Sequence, residues 1–198
     1  ARSVSAALAM GNACVIKPAE EACLTAIALA HLAEEAGFPA GAVNIVPGTG
    51  TEAGAALTAH PGINHISFTG SVGVGTLVQQ AAAINHVPVT LELGGKSPQI
   101  VFADADLDRA LPFLVNGGIQ NAGQTCSCGA RILVQRSRMD EVLSRLSARY
   151  AALRVGPAVD DLDLGPVISA RQKTLIEGML AEGRDLSMAA QGQIVADA

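Results

Sequence analysis

Short apolar runs alternate with helix-length amphipathic stretches along most of the chain, and this alternation limits the available folds more than any other feature. ACVIKP (13–18), AVNIVPG (42–48), INHISF (63–68), VPVTLEL (87–93), PQIVFA (98–103) and ARILVQR (130–136) read as strands. Apolar residues at helical spacing predict helices over 20–36, 52–59, 71–84, about 107–117 and about 139–153. Apolar strands separated by helices build a mainly parallel sheet, so the expected fold class is α/β. The opening ARSVSAALAMGNACVIK reads as a helix end leading into a strand. A signal peptide would need a charged leading region and an unbroken apolar run, and Gly11 and Asn12 interrupt this one.

Composition supports a sizeable core and excludes several classes of function. Hydrophobic residues are 49% and charged residues 16% of the 198 positions, which is not the balance of a disordered chain. With no Trp, one Tyr and four Phe, that core must be built from Ala, Val, Leu and Ile. Thirteen Lys and Arg against eighteen Asp and Glu leave a net charge of −5, and no basic patch with interleaved aromatics is present, so nucleic acid is not an expected partner. No run of eighteen apolar residues occurs, so no membrane span is expected. The four cysteines, without a secretory signal, are expected to be reduced in a cytoplasm. The missing initiator Met and the far end, MAAQGQIVADA, which shows no closing element, suggest a partial chain.

Two strands run into glycine-rich turns that open helices. The first turn spans Pro47, Gly48, Thr49, Gly50 and on to Gly54; the second spans Phe68, Thr69, Gly70, Ser71 and on to Gly75. A strand–Gly–helix junction presents unpaired N–H groups at the positive end of a helix dipole, which suits a pyrophosphate. Glycines at such junctions also serve packing alone, and neither turn has the G-x-G-x-x-G spacing of the standard fingerprint. Glu92, about twenty residues past the second turn, would be the ribose carboxylate under that fingerprint; without it, that role does not follow. Gly94-Gly95-Lys96-Ser97-Pro98, a polar turn between two strands, is the best internal boundary. It divides a Rossmann-like dinucleotide-binding half, 1–93, from an α/β catalytic half, 94–198, both partial.

The segment Asn121-Ala122-Gly123-Gln124-Thr125-Cys126-Ser127-Cys128-Gly129 is a loop of small residues between a helix and a strand. A thiol there is open to a substrate, and a nucleophilic Cys needs a lowered pKa or a nearby base. Cys14 and Cys23, on a strand and an apolar helix, read as packing residues. Cys126-x-Cys128 is alternatively half a metal site or a redox pair. The four His, at 31, 60, 65 and 86, show no ligand spacing, so no metal is expected.

Four segments now fall in order: GNACVIKPAE (11–20), FTGSVGVG (68–75), LELGGKSP (91–98) and GQTC (123–126). From Gly11 to about Gly183 the chain resembles the aldehyde dehydrogenase superfamily. The resemblance implies that Cys126 is the nucleophile and Glu92 the general base that activates water. It implies that Lys17 and Glu20 hold the adenosine ribose. Gly50 would pass near the adenine, Gly70, Ser71 and Gly75 would form the turn near the pyrophosphate, and Leu93 would join the cofactor site. A solvated helix start with Pro18 in its first turn is the other reading of Lys17 and Glu20. A carboxylate accepts from a free 2′-hydroxyl and repels a 2′-phosphate, so NAD is favoured over NADP.

The implied reaction oxidises an aldehyde to its acid through a thiohemiacetal and a thioester on Cys126. Glu92 argues for hydrolysis over transfer to coenzyme A. An acyl-transferring relative and a non-catalytic nucleotide-binding piece remain the alternatives. The family's W-N-[FY]-P and E-[IV]-F-G-P segments, which supply the oxyanion Asn and the nicotinamide-ribose Glu, are absent from the 198 residues, as are the segments of its oligomer interface. The expectation is therefore a central fragment of an enzyme that is a homodimer or homotetramer at full length. Gly117, Gly118 and Ala122 suggest a roomy substrate entrance.

Overall fold

The computed structural model of the chain describes residues 2–183, 186–190 and 193–194. They form two compact units, Ala1–Leu93 and Gly94–Ala198. Every strand pairing among the described residues is parallel, and helices connect the paired strands, as the α/β reading expects.

In the first unit, helix α1 (Arg2–Ala9) leads into strand β1 (Cys14–Ile16), which pairs with β2 (Val43–Ile45) across helix α2 (Leu24–Glu35). The expected helix over 20–36 is split: Glu20–Ala22 form a separate 3₁₀ turn ahead of α2. The expected helix over 52–59 instead starts at Gly50, in a wide π-type turn that runs into α3 (Ala55–Thr58). Strand β3 (Ile66–Thr69) pairs with β4 (Val89–Glu92) across α4 (Val72–Ile84). β1, β2 and β4 are shorter than the apolar runs, and prolines bound them. Pro18 and Pro47 follow β1 and β2, and Pro88 precedes β4, where it can only accept, taking the Ile66 N–H at 3.0 Å. Ile66, Val78, Ala82 and Val87 are buried together between α4 and this strand pair.

In the second unit, β5 (Pro98–Val101) pairs with β6 (Arg131–Val134), and α5 (Leu107–Ile119) and α6 (Met139–Ala151) cover one face of the pair. Val101, Leu111, Leu114, Val142 and Leu146 form the centre of this core. Asp106 opens α5 by accepting the N–H groups of Asp108 and Arg109 at 3.0 and 3.3 Å. The helix continues through Gly117 and Gly118 to Ile119, two residues past the expected end. Three elements have no counterpart in the sequence expectation: α7 (Ala170–Glu182), β7 (Arg154–Val155) and β8 (Gln193–Ile194), which pairs with β7. β8 lies in the end segment, where the sequence suggests no element; residues 191, 192 and 195–198 lie outside the described ones.

Candidate active site

The first group of expected residues gathers where β1 and β2 end. Lys17 has only 17% of its side chain exposed. Its Nζ donates to the Gly48 carbonyl at 3.0 Å and to the carbonyl of Pro18, and lies 3.8 Å from a Glu20 carboxylate oxygen. That same oxygen accepts the Gly50 N–H at 2.7 Å. The carboxyl of Glu20 is held below its ordinary range by its own backbone N–H, then by that of Gly50, with the Lys17 charge a lesser cause; its slight burial opposes them. The lysine stem runs beside Gly54, where a methyl would lie in ordinary contact, 3.4 Å from Lys17 Cδ. Lys17, Glu20 and Gly50 thus form one connected cluster.

The second group forms where β3 and β4 end. Register places Thr69 opposite Glu92, and the Gly70 N–H donates to the Glu92 carbonyl at 3.1 Å. Ser71 is the N-cap of α4, its hydroxyl accepting the Val74 N–H at 3.4 Å. Gly75 is buried because α4 packs on Leu93: a methyl on Gly75 would lie 2.6 Å from Leu93 Cδ2. Gly73, by contrast, faces open space. Parallel pairing therefore carries Gly70, Ser71, Gly75, Glu92 and Leu93 to one end of one strand pair.

Cys126 belongs to the second unit, on the loop between α5 and β6. It is exposed, while Cys128 is buried and Cys14 and Cys23 are half-buried. Its approach is a left-handed turn: Asn121 has φ 50° and ψ 44°, Ala122 has φ 54° and ψ 36°, and Gly123 has φ 76°. Left-handed backbone costs a residue with a Cβ about 1–2 kcal/mol, so local bonds must hold it. Gln124 supplies them. Its backbone and side-chain N–H groups both donate to the Asn121 carbonyl at 3.0 Å, and its amide oxygen accepts the Ile168 N–H at 2.9 Å. Beyond Cys126, the Cys128 thiol donates to the Gly118 carbonyl at 3.0 Å. The turn at Gly95 crosses the loop closely enough that a methyl there would lie 3.3 Å from the Cys126 carbonyl oxygen.

The glycines expected to open a roomy entrance do something else. A methyl on Gly117 would lie 3.1 Å from Gln99 Oε1, and one on Gly118 only 2.6 Å from the Tyr150 hydroxyl oxygen. Both positions are packed against side chains. No motif marks Tyr150 or Gln99 in the sequence; a Gln on the inward register of an otherwise apolar strand is the signal for the latter. Among the described residues no group of three or more His, Cys, Asp or Glu could hold a metal ion, and no helix is long and apolar enough to cross a membrane.

The profile of the aldehyde dehydrogenase family matches residues 1–194. The chain belongs to the aldehyde dehydrogenase family. Among aldehyde dehydrogenase relatives, mouse retinal dehydrogenase 2 is 46% identical over 195 residues, 96% of this chain and 38% of its own length. Rat cytosolic aldehyde dehydrogenase 1 is 45% identical over 183 residues, 91% of this chain and 36% of its own. The chain therefore spans little more than a third of these relatives. A provisionally assigned aldehyde dehydrogenase from Burkholderia cenocepacia, known as a crystal structure, superposes with a TM-score of 0.97 at 61% identity, covering 100% of this chain and 42% of that one. Betaine aldehyde dehydrogenase from Staphylococcus aureus, crystallised with NAD+, gives a TM-score of 0.87 at 39% identity, covering 92% of this chain and 36% of its own. The α/β architecture is thus that of aldehyde dehydrogenases of known structure.

Proposed function

We propose that the chain is the nucleotide-holding and thiol-bearing part of an NAD-dependent aldehyde dehydrogenase that releases a free acid. The first unit would supply the cofactor site and the second the nucleophile. The observation that carries this reading is Cys126 itself: the exposed thiol on a loop fixed by hydrogen bonds, whose backbone N–H has no acceptor among the described residues.

The residues of the first unit fit a dinucleotide. Glu20 is ionised and about half exposed, so its carboxylate can accept ribose hydroxyls, with Lys17 beside it. The same charge disfavours a 2′-phosphate, which supports NAD over NADP. Gly70 and Ser71 open a thirteen-residue helix whose first N–H groups have no intrahelical partners, and the open face at Gly73 admits a pyrophosphate. Gly50 faces open space as well, and Leu93 backs the helix start. The crystallised Staphylococcus aureus relative contains NAD+. When bound, the nicotinamide accepts hydride.

Cys126, as thiolate, adds to the aldehyde carbon, forming the C–S bond and an oxyanion that its own backbone N–H stabilises. Loss of hydride leaves a thioester on Cys126. Glu92 takes a proton from water, the resulting nucleophile attacks the thioester carbon, and the C–S bond breaks to return the thiolate and release the acid.

In the full-length protein, Cys126→Ser is expected to abolish aldehyde oxidation. Glu92→Gln is expected to keep the first-turnover burst of reduced cofactor while steady turnover falls about a hundredfold or more, measured by stopped-flow absorbance. Full turnover in Cys126→Ser, or a burst and steady rate lost together in Glu92→Gln, would contradict the assignment.

A further inference from the structure

Helix α5 ends in carbonyls that cannot find N–H partners within the helix. The returning limb of the Cys126 loop supplies donors for them: the Gly129 N–H to the Gly117 carbonyl at 2.7 Å, and the Cys128 thiol to that of Gly118 at 3.0 Å. One side chain joins both sides of this closure. Gln99, on the inward register of β5 beside buried Val101, donates from Nε2 to the Leu114 carbonyl at 3.0 Å and to the Gly129 carbonyl at 2.9 Å. Both amide N–H donors of the carboxamide are thereby used, one on the helix and one on the loop. The neighbouring glycines are fitted to it. A methyl on Gly129 would lie 2.5 Å from Gln99 Nε2, and one on Gly117 would lie 3.1 Å from its Oε1.

An amide in a core-facing strand position is costly unless its bonds are made, and an apolar residue would pack there with less penalty. Holding α5 and Gly129 at a fixed separation is what the amide adds. Gly129 lies three residues after Cys126, and the far limb of the loop is anchored separately through Gln124 and Ile168. With both limbs anchored, only residues 125–128, Cys126 among them, separate Gln124 from Gly129.

We propose that Gln99 is a positioning residue for Cys126, setting the thiol's attack geometry through Gly129 without touching substrate. The proposal rests on Cys126 being the nucleophile. Small misplacements of a reacting group cost rate far out of proportion to stability.

The test uses Gln99→Met, which keeps side-chain length and removes the donors, and Gln99→Asn, which keeps the amide but withdraws it by one methylene. Iodoacetamide labelling of Cys126 in the full-length protein, read by mass spectrometry across neutral pH, is expected to slow on the order of tenfold in both variants. In steady state kcat falls in step while KM stays unchanged. Circular dichroism identifies a variant that does not fold, and the other then decides. Wild-type labelling rates and pH dependence in folded variants overturn the proposal, as does a loss that merely follows the unfolded fraction. Labelling needs no turnover. If the wild-type protein oxidises no aldehyde yet labelling still depends on Gln99, the functional reading fails and the positioning role stands.

Discussion

Tyr150 shows how one side chain reports on the cysteine loop. Its ring packs into the second core and its hydroxyl lies over Gly118, next to the carbonyl that the Cys128 thiol bonds. Burial, and secondarily the proximity of Cys128, raise its pKa above the ordinary value of 10.0. The folded state therefore keeps the phenol proton over a pH range in which the unfolded chain has lost it. Stability is fully present below about pH 10 and declines as pH rises through the folded pKa. The chain has one Tyr and no Trp, so phenolate absorbance reads this residue alone. A titration midpoint above that of a free tyrosine, moving down to it in denaturant, is the expected result. An unshifted midpoint in the folded protein would refute the packing described. The same residue sets the size of its neighbour. Paired glycines look like empty space in a sequence, yet Gly118 is small because a tyrosine oxygen occupies the place of its side chain.

Elements were legible where one periodic signal dominated. The apolar residues of β3 and β4, Ile66, Phe68, Val89 and Leu91, pack with Val78 and Ala82 of α4, whereas Val72, Val74, Leu77 and Ile84 of that helix are exposed. Element ends were less legible, because they depend on partners remote in sequence: α5 passes through Gly117 and Gly118, against which Gln99 and Tyr150 pack. Helix α7 carried no readable stripe. Its Leu175, Met179 and Leu180 are exposed, and Gly178 interrupts its centre. That glycine yields a prediction for the element. A methyl at Gly178 meets nothing within 4 Å, so Gly178→Ala gains helix propensity without a clash. The variant should be more stable by about 0.5–1 kcal/mol, seen as a higher urea midpoint at unchanged slope. A lower midpoint would mean that the glycine accommodates a contact other than those described. The candidate site was legible in the same uneven way. Lys17, Glu20, Gly50, Gly70, Ser71 and Gly75 lie in contiguous motifs, whereas Gln99 acts through carbonyls fifteen and thirty residues away that no motif records.

At the scale of the whole molecule, the proposed roles divide between two units, with Glu92 and the cofactor residues in Ala1–Leu93 and Cys126 in Gly94–Ala198. A ligand that binds only the folded state adds stability where it binds, about 2.7 kcal/mol at a hundred times its dissociation constant. Saturating NAD should therefore slow amide exchange around Gly50–Gly54 and at the start of α4, with little effect in α6, measured by hydrogen-exchange mass spectrometry. Uniform exchange with and without NAD would remove the first unit from the cofactor site. The pairing of Thr69 with Glu92 has a further consequence for anyone rebuilding such a protein. Because parallel register joins the proposed phosphate turn and the proposed base to one ladder, residues 66–92 are expected to transplant as one cassette. Recombination with a relative should respect its edges, since a crossover inside it would pair one parent's turn with another parent's base.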